Sequence, residues 1–179
     1  MTPGARAQAA IEVLDRILGG EPAEKVLTAW GRASRYAGSG DRSAVRDLVY
    51  DALRCRRSFA ALGGGLTGRG LILGRLRILG DDEDGVFHGG PHAPMPADAK
   101  DQGRPATDWE LFDIPDWLGP VFLQSLGEKA LPVLTALKSR APVFLRVNLA
   151  RGNRAAAIAA LAAQGVEQNR ILLRPRRWL

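Results

Sequence analysis

Residues 80–112 interrupt an otherwise helical pattern, and this interruption constrains the fold more than any other feature of the chain. They contain Asp81-Asp82-Glu83-Asp84, a Gly/His/Pro cluster and no apolar periodicity. Structureless stretches of that length are uncommon inside compact domains, so the segment reads as an acidic Gly/Pro linker or a long surface loop. Charge divides the chain in nearly the same places. Residues 1–77 carry 13 Lys/Arg against 7 Asp/Glu, residues 78–120 carry 2 against 10, and residues 121–179 carry 10 against 2. Two cationic lobes around an acidic connector point to a polyanionic partner, most simply a nucleic acid. The alternative is that the connector folds back onto a lobe and neutralises it.

Composition limits the class. With 46% hydrophobic and 25% charged residues over 179 positions, the chain has the make-up of one ordinary globular domain or two small ones. Its single cysteine, Cys55, excludes an internal disulfide and fits a reducing compartment. No apolar run approaches the roughly 20 residues that span a bilayer, and the N-terminus lacks the apolar core of a secretory signal. The expectation is a cytoplasmic protein with no membrane partner.

Helical spacing dominates the first 79 residues. Ala7, Ala10, Ile11, Leu14, Ile17 and Leu18 share a face that Gly19-Gly20 ends, and Pro22 opens a second helix carrying Val26, Leu27 and Trp30. Asp41 is a suitable N-cap for a third helix whose buried stripe is Val45, Leu48, Val49, Ala52 and Leu53. Leu71 to Leu79 make another helix after the break at Gly63–Gly70. Residues 113–140 form a helical subdomain, with one helix through Leu118, Val121, Phe122 and Leu126 and another through Leu131, Leu134 and Leu137. At Pro142 the pattern changes: Val143, Leu145 and Val147 alternate with Phe144, Arg146 and Asn148, a strand signal, and Asn153 caps an alanine-rich helix ending at Gly165. The expected fold class is therefore mainly α, with residues 141–166 beginning an α/β unit.

Few motifs carry chemistry. Gly63-Gly64-Gly65-Leu66-Thr67-Gly68 matches G-x-G-x-x-G, but a helix precedes it where the dinucleotide fingerprint needs a strand. His88 and His92 have metal-ligand spacing, yet Gly89, Gly90 and Pro91 between them forbid the helix that would align them. Cys55 lies beside Arg54, Arg56 and Arg57, which favour a thiolate, but no motif places a histidine near it. No catalytic, cofactor or metal residue is assigned. The arginines are more informative, because a planar guanidinium grips phosphate with two hydrogen bonds. Arg42 and Arg46 lie one helical turn apart, Arg54, Arg56 and Arg57 extend the cationic surface, and Arg146 and Asn148 share a strand face with Arg151 and Arg154 just beyond. Trp30 and Tyr36 flank Arg32 and Arg35 and offer stacking. The RNA-binding set is thus Arg42, Arg46, Arg54, Arg56, Arg57, Arg146, Asn148 and Arg151, against the plain alternative of solvated basic faces.

Two stretches carry a family resemblance. GDRSAVRDLVYDALRCRRSFAAL (Gly40–Leu62) resembles the helical module shared by the NusB antitermination factor and the N-terminal domain of RsmB/Sun/Fmu-type ribosomal-RNA methyltransferases. DIPDWL (Asp113–Leu118) followed by APVFLRVNLARGNRAAAIAALAAQGV (Ala141–Val166) is similar to the segment preceding the catalytic domain of those enzymes. The opening MTPGARAQAAIEVLDRILGG looks like alphaproteobacterial members. The resemblance implies a NusB-like domain over residues 1–79. It also implies small-subunit ribosomal RNA as partner, and a family chemistry in which S-adenosylmethionine methylates carbon-5 of cytosine through a cysteine nucleophile. Neither family cysteine nor the cofactor loop matches any position here, so the expectation is an RNA-binding N-terminal portion, inactive as an enzyme by itself. The tail EQNRILLRPRRWL (Glu167–Leu179) reads as a divergent basic end, either a truncated or frameshifted terminus or a short basic arm. Alternatives are a NusB-type protein-interaction module and a non-functional gene remnant.

Overall fold

The computed structural model describes residues 1–141 and 143–166. It is mainly helical, and residues 1–140 and 141–179 are two separate compact units. In the first unit, α1 (Pro3–Leu18) starts with proline in its first turn, where a missing N–H costs nothing, and Thr2 Oγ1 accepts the Ala5 N–H at 3.2 Å. It stops at Gly19, and Gly20 adopts φ 102°. After α2 (Ala23–Ala33), α3 (Ser39–Arg54) begins three residues earlier than an N-cap at Asp41 would place it. Asp41 instead occupies the first turn, accepting the Gly38 N–H at 3.3 Å, the Arg6 guanidinium and the Met1 ammonium. These donors, Arg6 foremost, hold its carboxyl below the usual range.

The helices α4 (Arg56–Leu62) and α5 (Gly68–Leu79) complete the bundle. Leu14, Val26, Val45, Val49, Leu71 and Leu73 are fully buried between α1, α2, α3 and α5. The loop between α4 and α5 is the G-x-G-x-x-G stretch. A Cβ on Gly63 would lie 2.6 Å from the Gly70 carbonyl carbon and 2.7 Å from Gly74 N, so these glycines serve close helix approach rather than phosphate binding.

The acidic stretch does not stand off as a spacer. Its short helix α6 (Glu83–Val86) delivers Phe87, 1% exposed, into the core of the bundle. Burying one such side chain is worth about 2–3 kcal/mol. Two arginines of α5 then staple the segment down. Arg69 holds Asp101 through both carboxylate oxygens (2.9 and 2.7 Å), donates to the carbonyls of Met95 and Pro96, and lies 4.9 Å over the Phe87 ring. Arg77 holds Glu83 in the same bidentate way (2.8 and 2.9 Å) and donates to the carbonyls of Leu62 and Asp101. Part of the cationic lobe is therefore neutralised internally, and α5 is the element that the acidic stretch covers.

This stapling sets an expected pH dependence. Arg69, then the Asp98 N–H, hold the Asp101 carboxyl below its ordinary value; Arg104, then Thr107, pull Glu110 down to about 2. A carboxyl depressed in the folded state stabilises it above the unfolded value, about 4. That contribution is lost as pH falls through the folded value. Residues 95–110 are expected to detach as pH drops from about 4 toward 2. Carboxyl titration by NMR checks this: in Arg104→Ala the Glu110 carboxyl should rise toward the ordinary range, held back only by Thr107, and an unchanged Glu110 would refute the pairing.

Beyond a 3-10 turn at Asp108–Phe112, α7 (Leu118–Leu126) and α8 (Ala130–Leu137) finish the first unit. Gly119 makes room for Trp109, because a Cβ there would sit 2.5 Å from its Cζ2. In the second unit, α9 (Arg154–Ala162) is capped by Asn153, whose Oδ1 accepts the Ala156 N–H at 2.9 Å. Among the described residues no strand forms, residues 143–148 included, so the strand expected there is not seen. Alternation marks a segment suited to a sheet, but the ladder needs a neighbour to bond with. No described helix is long and apolar enough to cross a membrane.

Candidate nucleic-acid interface

The structure divides the predicted arginines into two groups. Arg42, Arg46 and Arg56 are exposed. Arg42 and Arg46 stand one turn apart on α3, where they border a shallow groove of about 610 Å³ with Thr28, Trp30 and Ser39. Arg46 donates to Ser43 Oγ at 3.1 Å, which orients its guanidinium without neutralising it. Arg56 has no side-chain partner among the described residues. Arg54 and Arg57 are committed inward. Arg54 donates to Asp51 at 2.8 Å. Arg57 donates to the Ile114 carbonyl and to Asp116 Oδ1, the latter at 2.8 Å. Arg57 thus engages both terminal nitrogens and Arg54 one, so their share in phosphate binding is reduced.

The partners of Arg57 expose what the DIPDWL motif does. Helix α4 begins at Arg56, and Cys55 in the N-cap position before it offers no side-chain cap. Asp113 supplies one from 55 residues away: its Oδ1 accepts the Ser58 N–H and its Oδ2 the Ser58 hydroxyl, both at 2.8 Å. Lys138 reaches the same carboxylate at 2.9 Å and the Leu111 carbonyl at 2.7 Å. The Asp113 side chain is 3% exposed and its backbone sits at φ 58°, a left-handed turn that aspartate tolerates. The motif is thus a latch that closes residues 111–138 onto α4. Periodicity could not reveal it; the signals were an uncapped helix start and an aspartate in a tight Asp-Ile-Pro-Asp turn.

Other candidates resolve plainly. Burial, then the Asp113 charge, push the Cys55 thiol up, against the thiolate that its arginine neighbours suggested. His88 Nδ1 accepts the Gly90 N–H at 3.1 Å, His92 lies at φ 63°, and no metal-ligating group forms among the described residues. Tyr36 is 74% exposed, whereas Trp30 packs against the core, so only Tyr36 of that pair offers an open ring. In the second unit Arg146, Asn148 and Arg151 are all exposed. Asn148 there builds a turn, its Oδ1 accepting the Ala150 N–H at 3.0 Å and its carbonyl the Arg151 N–H at 3.1 Å.

Comparison with known proteins bears on the C-terminal half. No curated protein and no solved structure matches the chain. Residues 114–175 match the family described as the Methyltr_RsmF/B-like, ferredoxin-like domain. The match takes in α7, α8 and α9 together. It continues past Val166 into the stretch read above as a divergent tail, although residues 167–179 lie outside those described here. This agreement over residues 114–175 supports a relation to RsmB/RsmF-type methyltransferases.

Proposed function

We propose that this chain is the RNA-binding N-terminal region of an S-adenosylmethionine-dependent ribosomal-RNA cytosine-5 methyltransferase, working in the cytoplasm on small-subunit RNA. The match of residues 114–175 is the observation that carries this reading. The helical unit before it fits a NusB-like recognition domain, and its outward arginines suit backbone phosphates. In such proteins S-adenosylmethionine and the nucleophilic cysteine belong to the methyltransferase domain, none of whose motifs occurs in these residues. The share of this chain is recognition. Arg42, Arg46 and Arg56 form the principal contact, Arg146, Asn148 and Arg151 add a second, and Arg54 and Arg57 contribute through charge rather than direct grip.

A salt titration with a small-subunit ribosomal-RNA hairpin tests this. Each phosphate neutralised releases counterions, so affinity should fall steeply with salt. Arg42→Glu/Arg46→Glu/Arg56→Glu should weaken binding by about a hundred-fold and flatten the slope by roughly three phosphates. Unchanged affinity in the triple variant would refute the assignment. A second reading, a NusB-type protein-interaction module, draws on the exposed Leu123, Leu126, Leu131 and Leu137 of α7 and α8. It predicts that polar substitutions at these leucines, rather than arginine reversal, remove the cellular function.

A further inference from the structure

Two of the tryptophans in the first unit are treated very differently. Trp109 is packed over Gly119 and meets Phe112 at 6.2 Å, while Trp117, eight residues on, is 71% exposed. An indole held out to solvent on the latch between Asp116 and α7 buries no core surface. It instead borders an open groove of about 930 Å³ beside α4, together with Arg56, Gln102, Arg104, Gly64 and Gly65. The groove also runs past the glycine turn and residues 102–104.

Gly64, Gly65 and Gly103 add bare backbone to a lining that also holds Ala60, Leu66 and Pro115. A Cβ on Gly64 would lie 2.8 Å from the Asp101 carbonyl carbon, and one on Gly103 would lie 2.8 Å from the Ala61 carbonyl oxygen. The two chain segments meet with no side chain between them, and Arg104 N donates to the Ala61 carbonyl at 2.8 Å. Charge in the groove is mostly cancelled in pairs. Arg104 is gripped by Glu110 at 2.7 and 2.8 Å, and Arg57 by Asp116. Arg56 alone of the three lining arginines has a guanidinium without a partner among the described residues. One open cation and one open indole bordering the same groove suit a flat ring joined to a single negatively charged group.

We infer that this groove binds an unpaired nucleotide of RNA, with the base stacked on Trp117 and its phosphate held by Arg56. The inference rests on the RNA reading above and adds to it a preference that arginine patches on α3 do not provide. Backbone contacts accept paired and unpaired RNA alike, whereas stacking on an aromatic ring requires a base that is out of the helix. The Gln102 amide remains in the groove lining to meet polar groups of the ribose or base.

The test compares a short single-stranded oligouridylate with a closed RNA hairpin that has no unpaired ends, using the full chain. Trp117→Ala should weaken the oligouridylate about ten-fold, the usual loss of one stacked base, and leave the closed hairpin unchanged. Trp117→Phe should restore most of the loss, and Arg56→Gln should weaken the oligouridylate and lower its salt slope by about 0.7. Trp117 is exposed, so thermal midpoints should not move. Equal oligouridylate binding by wild type and Trp117→Ala, or wild-type binding to the hairpin alone, would overturn the groove assignment while leaving the RNA reading intact. Wild-type binding to neither RNA would overturn both.

Discussion

Asp113→Ala is expected to destabilise the first unit by about 3 kcal/mol, a substantial fraction of the roughly 5–15 kcal/mol by which native domains are stable. Three donors converge on this carboxylate: the Ser58 N–H, the Ser58 hydroxyl and the Lys138 ammonium. Loss of a helix cap costs about 1 kcal/mol, and a hydrogen bond to a charged group about 1.5–3 kcal/mol. The Lys138 side chain is 22% exposed, so water recovers part of its share, which keeps the total below the simple sum. Asp113→Asn retains an acceptor for the Ser58 N–H but loses the charge, and should fall between alanine and wild type. Lys138→Met should cost only about 1 kcal/mol. Thermal unfolding reads these differences as a drop of roughly 10 °C for alanine. An Asp113→Ala midpoint within a degree or two of wild type would mean that α4 does not depend on the latch. The ranking also separates a cap from an ion pair: if Lys138→Met matched Asp113→Ala, the ion pair would be the dominant part.

Where the sequence was readable, one element carried its own signal. The α1 stripe from Ala7 to Leu14 and the stop at Gly19-Gly20 are local, and the helix is found where they place it. The same holds for α9, whose Asn153 cap and alanine run need no partner to be recognised. Asp41 was misplaced by three residues because aspartate is favoured both at the N-cap and in the first turn, where it accepts the N-cap N–H instead, and spacing alone does not separate the two positions. The staples of the acidic stretch were hidden for another reason. Arg69 and Asp101 are 32 residues apart, and nothing in either neighbourhood names the other. Charge segregation along the chain was consistent both with an external polyanion and with a connector folded back. The ion pairs of Arg69 and Arg77 show that folding back accounts for part of it. The basic run Arg54 to Arg57 was likewise ambiguous. Helical geometry distributes these side chains around the α3–α4 junction, so Arg56 emerges while Arg57 turns to Ile114 and Asp116. Of that run the fold leaves Arg56 outward and gives Arg54 and Arg57 internal partners, a division that local sequence does not announce.

Gly74→Ala is expected to destabilise the bundle strongly, although helix propensity alone predicts a gain. Gly74 lies in the interior of α5, where alanine is favoured over glycine by about 1 kcal/mol. Against that gain stands the packing of α5 on α4. A Cβ at Gly74 would lie 2.7 Å from Phe59 Cα, and the obstructing atoms are backbone, which cannot rotate away as a side-chain tip can. Relieving the contact requires α4 and α5 to separate. That movement would disturb Phe59, 5% exposed, and Leu73, fully buried, on either side. Overpacking usually costs about 1–3 kcal/mol, and a backbone obstruction belongs at the upper end, so the net loss should be about 2 kcal/mol or more. Gly31→Ala provides the control. It is also inside a helix, and its Cβ would meet nothing within 4 Å, so the propensity gain should appear without a packing cost. Urea denaturation of both variants gives opposite signs if close approach is what the α5 glycine serves. Stabilisation by Gly74→Ala would mean that the two helices can part at little cost. It would also remove the structural reason for glycine at Gly63 and Gly70, which face the same crossing.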